Sequence, residues 1–406
     1  MLVTVLLMTA SPALASTSAW VGFYVPGAPA SIAPLATLES QIGTGAAVSN
    51  FFISDTESFP LGRSHAVIDH GAIPMVTLEF WSTQNGGLSS IINGNKDVYL
   101  ENFADDAKAY GHTVYLRPFH EMNGNWYPWA GTAEGNSPAK LIAAWRHVQQ
   151  IFAARGATNV KFVWCVNNDS VPDTTANAIE AYYPGDAYVD FTALDGYNFG
   201  TYASWSSWRT FAGVFGNAYA RVTALSSKPL FIAETGCVEQ GGNKAAWIAG
   251  MFQAISTSYP KITGVCWFNA LKGEDWRVGS SASSLAAFKT AATASAAVPQ
   301  AASVDKKASS TGIQLLSASV AYRARMTLTG TVTPNASGQN VKLYRRPVAG
   351  GRWVLLTTSR TTLSSSSTYS RAMTTTPRGS WYFRADYAGT ATVAASHSAA
   401  VKLVVR

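Results

Sequence analysis

Two segments of this sequence place a glutamate where a carboxyl group has little structural purpose. The first is Leu116–Trp129, LRPFHEMNGNWYPW, which sets His120 beside Glu121 and follows them with Asn123, Trp126 and Trp129. Its glutamate stands at the end of an apolar run, among aromatics. Desolvation there raises a carboxyl pKa and lets the group donate a proton. The second is Lys228–Glu239, KPLFIAETGCVE, where Glu234 closes an apolar run that begins at Pro229. A proton-donating carboxyl opposite a second carboxylate is the arrangement that hydrolyses glycosidic bonds. A binding module that had lost catalysis would keep the aromatics and lose a carboxylate. Both glutamates are present.

These residues need a frame. Between Ala19 and Ala294, short apolar runs alternate with helical stretches. The strand candidates are Trp20–Val25, Ala47–Ile53, Ile73–Phe80, Thr113–Phe119, Val160–Val166, Val189–Tyr197, Pro229–Thr235 and Ile262–Asn269. Each is separated from the next by enough chain for a crossover helix. The runs are apolar on both faces, as expected for parallel strands covered by helices. One helix reads in detail. Ser137 is its N-cap and Pro138 its first residue. Leu141, Trp145, Val148 and Phe152 recur at helical spacing, and Gly156 ends it. Such β-then-α units repeated over residues 19–293 predict a (β/α)8 TIM barrel, an α/β fold with its site at the C-terminal ends of the strands. Glu121 and Glu234 then follow strands four and seven. Phe23 and Tyr24 are expected to pack inside the barrel. Cys237 and Cys266, near the ends of neighbouring strands, are the preferred disulfide pair among the three cysteines.

The chain is long enough for two domains at 406 residues, and it is 47% hydrophobic and only 13% charged, which excludes a disordered chain. Residues 294–312 are rich in Ala, Ser and Thr and read as a linker. Beyond it, residues 313–406 carry short alternating runs: Met326–Val332, Val341–Arg345, Trp353–Thr357, Tyr382–Tyr387 and Ala400–Val405. They predict a small all-β immunoglobulin-like sandwich without the Cys…Trp…Cys hallmark. From Ser303 onward 14 basic residues face 2 acidic ones, a net +12, whereas the rest holds 16 basic and 21 acidic, a net −5. Arg345, Arg346, Arg352, Arg371, Arg378 and Arg384 spread along the tail. The basic C-terminal domain is expected either to hold an anionic cell-wall polymer or to act as a soluble spacer. Trp353 and Trp381 are sugar-binding or core residues.

At the N-terminus, Leu2–Met8 is apolar and Ala13-Leu14-Ala15 is an A-x-A cleavage site, so residues 1–15 read as a signal peptide, although no Lys or Arg precedes the apolar run. The chain is therefore expected to be secreted, with no stable membrane insertion and no nucleic-acid partner. No metal-ligand spacing, P-loop, dinucleotide fingerprint or nucleophile elbow is found, so no cofactor is expected.

HEMNG at His120–Gly124, AETG around Glu234 and WFNALKGEDWR at Trp267–Arg277 resemble glycoside hydrolase family 26 over roughly residues 19–292. That family contains β-mannanases, mixed-linkage β-glucanases and β-1,3-xylanases. The resemblance implies that Glu121 is the general acid/base and Glu234 the nucleophile of a retaining mechanism, with the two carboxyl groups about 5–5.5 Å apart. It implies that His120 contacts the sugar just before the scissile bond, that Tyr197 hydrogen-bonds the nucleophile and that Trp267 is the platform under the same sugar. Trp126 is placed on the leaving-group side. Arg117 is either a structural ion-pair partner or a tuner of Glu234. Glu79, Trp81, Asp195 and the Asp275-Trp276-Arg277 run lie at the active mouth by position. The implied activity is endo-cleavage of a β-linked polysaccharide by a monomer. β-1,4-Mannan is the first expectation and mixed-linkage β-1,3-1,4-glucan the second, since the loops after the strands are short. β-1,3-Xylan comes third.

Overall fold

The structure, a computed structural model, describes residues 19–84, 87–133, 135–294, 309–349, 353–356, 361–375, 377–387, 389, 393 and 396–406. The expected signal peptide and residues 295–308 of the expected linker therefore lie outside the described residues.

Eight parallel strands close into a barrel in sequence order: β1 (Trp20–Tyr24), β2 (Val48–Ser54), β3 (Ile73–Glu79), β4 (Val114–Pro118), β5 (Val160–Asn167), β6 (Phe191–Asn198), β7 (Leu230–Cys237) and β8 (Ile262–Phe268). β1 closes the ring on β8, with Gly22 opposite Cys266 and Phe23 opposite Trp267. Helices α1 (Ala33–Ile42), α2 (Leu61–Asp69), α3 (Ser89–Ile92), α4 (Asp97–Tyr110), α5 (Pro138–Arg155), α6 (Phe211–Leu225), α7 (Lys244–Thr257) and α8 (Ala282–Ala294) follow the strands. Helix α5 is capped as its sequence predicts. The Ser137 side chain accepts from the Lys140 N–H at 3.1 Å, and Gly156 ends the helix in the left-handed region at φ 69°.

Two apolar layers explain why the strands are hydrophobic on both faces. Trp20, Met75, Tyr115, Cys165, Ala193, Phe231 and Cys266 pack inside the barrel. Leu116, Trp164, Ile232 and Trp267 face the helices, against residues such as Leu141, Ile248 and Phe288. This alternation corrects two expectations. Phe23 does not pack inside the barrel: its ring lies 5.7 Å from that of Phe288 on α8. Tyr24 rises to the mouth and stacks on Phe268 at 4.5 Å. Cys237 and Cys266 do not pair; all three cysteines are free. Although β7 and β8 are neighbours, Cys237 belongs to the helix-side layer and Cys266 to the barrel interior, so their thiols point to opposite faces.

The tail forms two sheets over a core that includes Leu328, Val341, Leu343, Tyr369, Phe383 and Leu403. This is a β-sandwich. One sheet pairs Arg325–Thr333 with Thr368–Thr374 and two short strands; the other centres on Asn340–Pro347, Gly379–Tyr387 and Val401–Val405. Thr368–Thr374 escaped the sequence reading because its outward positions are Thr, Ser and Ala, and Arg371 interrupts the inward positions, of which only Tyr369 is buried. Of the expected run Trp353–Thr357, Val354–Leu355 is strand and Thr357 lies outside the described residues. Lys342 of the sandwich forms an ion pair with Asp106 on α4.

Candidate active site

The mouth is lined from the C-terminal ends of the barrel strands, and β4 to β8 carry its two glutamates and their partners. On β4, Tyr115 and Arg117 point inward at alternate positions. The chain then turns sharply. Phe119 and Glu121 adopt positive φ of 52° and 53°, a conformation that costs a non-glycine residue about 1–3 kcal/mol. Surrounding bonds hold it. The Glu121 N–H donates to the Cys165 carbonyl at 3.1 Å, and the Trp129 indole donates to the His120 carbonyl at 2.8 Å.

Three residues of HEMNG now have a physical role. Gly124 is needed because a Cβ there would meet the Trp126 ring at 2.5 Å. That close approach lets the Trp126 indole N–H donate to Glu121 Oε2 at 2.8 Å. Asn123 clamps Asn167 at the end of β5: its Nδ2 donates to the Asn167 carbonyl at 2.9 Å, and its Oδ1 accepts from the Asn167 N–H at 2.8 Å. Asn167 Nδ2 in turn donates to Glu121 Oε1 at 2.9 Å.

Glu234 reaches the same mouth through a bulge. Leu194 pairs with Ile232, but Asp195 pairs with Glu234; on the other side Ile232 pairs with Val265, but Thr235 pairs with Trp267. Against both neighbours β7 therefore carries one extra residue just before or at Glu234. Phe231 and Ala233 already face inward, so strict alternation would send Glu234 outward. The bulge re-aims it to the barrel axis. There its Oε1 forms an ion pair with Arg117, and its Oε2 accepts from the Tyr197 hydroxyl at 2.7 Å. Arg117 also donates to both oxygens of Asp195, at 2.9 and 2.7 Å, and to Thr77 Oγ1 at 3.0 Å. Burial opposes the charge on Arg117, but Asp195 and Glu234 more than offset it, and its pKa lies well above the ordinary value. Arg117 is thus a buried ion-pair centre that also holds Glu234 in place.

Burial, reinforced by the negative charge of Glu234, pushes the Glu121 carboxyl up to about 7, although Asn167 and Trp126 oppose the shift. Burial, then Arg117 and Lys272, holds the His120 imidazole well below its usual range, so it is neutral at neutral pH. Its Nε2 lies 3.0 Å from the Tyr127 hydroxyl.

Both glutamates open into one cleft of about 820 Å3. Of the expected contact residues, Glu79, Trp81, Trp126 and Tyr197 line it. Glu79 accepts from the Trp81 indole at 3.0 Å, and burial raises its carboxyl pKa. Asp195 and Asn123 stand behind the wall, as supports. Two expectations are corrected. Trp267 is fully buried on the helix side, 5.5 Å from Phe288 and 6.1 Å from Trp247, because the pleat of β8 turns it away from the axis. Phe268, the next residue, faces the cleft instead. Trp267 acts indirectly: its indole donates at 2.7 Å to the carbonyl of Trp276, whose ring lines the cleft 4.8 Å from Tyr197. His120 is 1% exposed, enclosed by Phe52, Tyr127 and Trp129, and it backs the wall that Tyr127 presents. Sequence reasoning missed Asn167, Tyr24, Tyr127, Trp205 and Lys272. Only Asn167 carried a usable signal, as the polar residue that ends an apolar strand.

Residues 86–258 match the family model described as Glycosyl hydrolase family 26. Over 253 residues the chain is 44% identical to Endoglucanase H of Acetivibrio thermocellus, an alignment spanning 61% of this chain and 27% of that protein. It is 32% identical over 163 residues to Mannan endo-1,4-beta-mannosidase A and B of Caldalkalibacillus mannanilyticus, spanning 39% of this chain and 28% of that protein. The chain thus spans little more than a quarter of the length of either relative. A solved structure, the Cellulomonas fimi endo-beta-1,4-mannanase double mutant, superimposes with a TM-score of 0.52 at 16% identity, over 96% of this chain and 94% of that one, a likeness of fold. The HEMNG turn and the bulged AETG strand both lie within the segment that matches the glycosyl hydrolase family 26 model, so the part of the barrel that carries the two glutamates is similar to that family.

Proposed function

We propose that the chain is a retaining endo-β-glycanase. One observation carries the reading: a carboxyl raised to about 7 shares a cleft with a second carboxylate whose two oxygens are held by Arg117 and Tyr197. Glu121 enters protonated and gives its proton to the glycosidic oxygen as the C1–O bond breaks. A Glu234 oxygen bonds C1 from the opposite face. Glu121, now a carboxylate, takes a proton from water as the water oxygen bonds C1 and releases Glu234. Tyr197 and Arg117 steady the attacking carboxylate; Asn167 and Trp126 orient the acid. The cleft suits a polymer. Trp81, Trp126 and Trp205 are the exposed tryptophans among the described residues, at 38%, 43% and 72%, and all three line it. Aromatic faces stack on the apolar faces of sugar rings.

For the substrate, the 44% likeness to an endoglucanase against 32% to a mannanase supports β-glucan with mixed linkages ahead of β-1,4-mannan. Product analysis on lichenan, mannan and β-1,3-xylan side by side tests this. Internal cleavage of lichenan at the highest rate is expected. Hydrolysis of none of the three contradicts the hydrolase reading, and preference for mannan restores the first expectation.

The apolar run Leu2–Met8 and the Ala13-Leu14-Ala15 site support secretion. Recovery of a mature chain lacking residues 1–15 from the culture medium checks it.

The tail is the part that would hold an anionic cell-wall polymer. On one face of its larger sheet, Tyr344 pairs with Arg384 and Arg346 with Tyr382 across neighbouring strands. Arg346 lies 5.1 Å from the Trp353 ring and 5.3 Å from that of Tyr382; Arg384 lies 4.8 Å from Trp353. Stacked guanidinium groups keep their N–H edges for acidic oxygens. Retention of the full chain on anionic cell-wall material is expected to weaken with salt and with Arg346→Ala. Salt-insensitive retention contradicts the electrostatic mode.

A further inference from the structure

The closed strand order divides the cleft into two arms. With Glu121 after β4 and Glu234 on β7, strands β5 and β6 stand between them on one side, and β8, β1, β2 and β3 on the other. A polymer whose bond lies between the two glutamates runs out over both arms. On the β5–β6 arm the cleft is lined by Asn168, Asp169, Phe199, Trp205 and Arg209, none of which touches either glutamate.

Trp205 stands out on this arm. It is 72% exposed, the most exposed tryptophan described, yet its loop is firmly built. Asn198 Oδ1 closes both ends of the loop, accepting from Gly200 N at 3.2 Å and from Arg209 N at 3.0 Å. Ser206 Oγ donates to the Gly200 carbonyl at 2.8 Å. Gly200, at φ 52°, lies so close to the next loop that a Cβ would stand 1.9 Å from the Gln240 carbonyl oxygen. The Trp205 ring meets Phe199 in an edge-to-face arrangement with centroids 4.9 Å apart, and Phe199 meets Trp276 at 5.0 Å, so the aromatic row continues toward Tyr197 at the centre. Apart from that contact, most of the indole is apolar area held out to water on an anchored loop. Asp169 and Arg209, ion-paired to each other in the same arm, offer an acceptor and donors at its side.

We propose that Trp205 is the platform of a distal sugar subsite on the β5–β6 arm, with Asp169 and Arg209 as partners for the hydroxyls of the stacked ring. This rests on the glycanase reading above. Its ligand is a β-linked hexose unit of the polymer, beyond the sugars that flank the scissile bond. The subsite sets the chain length that the enzyme prefers.

Two measurements test it. The first is kcat/KM of wild type, Trp205→Ala and Trp205→Phe on a series of β-glucan oligosaccharides of increasing length. The Ala variant is expected to lose activity progressively with chain length, about tenfold on the longest, which corresponds to about 1.4 kcal/mol for one stacked ring. The Phe variant, which keeps a ring, recovers most of it. An equal loss at every length, or no loss on the longest chain, overturns the proposal. The second is gel retardation in lichenan of Glu234→Ala with and without Trp205→Ala, which reads binding without catalysis. Weaker retardation of the double variant is expected, and equal retardation overturns the subsite. Failure of the wild type to hydrolyse any oligosaccharide counts against the glycanase reading instead, while retardation still decides the role of Trp205.

Discussion

Asp195 and Glu234 are register partners across the β6–β7 ladder, and both end on the guanidinium of Arg117. The cation lies under the site at 0% exposure with a carboxylate on either side. Removing one member of such a group leaves buried charge uncompensated, which costs about 3–5 kcal/mol. Arg117→Met is therefore expected to lower stability by that order and to abolish activity. Calorimetry and a rate assay check it; a variant of native stability would contradict the ion-pair account.

The raised carboxyl makes a pH prediction for catalysis. As pH rises through about 7, Glu121 loses the proton that it must donate. The alkaline limb of kcat/KM is expected there, and in Glu121→Gln the limb should vanish together with most of the activity. A limb unchanged in that variant would assign it to another group.

The same shift predicts a stability effect of opposite sign. A carboxyl raised on folding costs nothing below its unfolded pKa near 4.5, and the cost grows as pH rises from there through about 7. Glu121→Gln should thus be more stable than wild type at pH 8, by roughly 3 kcal/mol, and equal to it near pH 4. Denaturant midpoints at the two pH values measure this; equal stability at pH 8 would mean that the carboxylate is not penalised.

Asn167 donates to Glu121 and so favours the ionised form. Asn167→Ala is expected to move the alkaline limb to higher pH while lowering kcat, because the acid is also less well oriented. A limb displaced to lower pH would contradict the assigned direction of that hydrogen bond.

Trp267 and Trp276 separate packing from contact. Trp267→Phe should cost about 1–3 kcal/mol of stability with little change in KM, since it removes one buried hydrogen bond and part of a core ring. Trp276→Ala should raise KM for polymer. The reverse pattern in steady-state kinetics would restore Trp267 as a platform.

Much of this was readable before any coordinates. The eight barrel strands begin and end within two residues of their apolar runs, because strands buried on both faces are marked by continuous hydrophobicity. Glu121 and Glu234 were visible because a carboxylate closing such a run is out of place. Three kinds of information were not legible. The first is pleat phase. The run Trp267-Phe268 does not say which ring faces the axis, and the aromatic choice fell on the wrong one. The second is the bulge, which reverses the inward–outward phase of β7 from Glu234 onward and has no signature in AETG. The third is what a loop brings in from a distance: Trp205 meets the site on a loop held by Asn198 and by the close approach of Gly200 to Gln240, which connect separate βα units. His120 shows the same limit, since its neighbour Glu121 enters the cleft while Tyr127 covers the imidazole.

The central claim is that a Glu234 oxygen attacks the anomeric carbon while Glu121 serves the leaving group. A 2-deoxy-2-fluoro glycoside with a good leaving group traps that bond, and mass mapping of the labelled peptide locates it. One label per chain on Glu234, with reaction that persists in Glu121→Ala, is the predicted result. A label on any other residue, or turnover with inversion at the anomeric carbon and no label, would contradict the account.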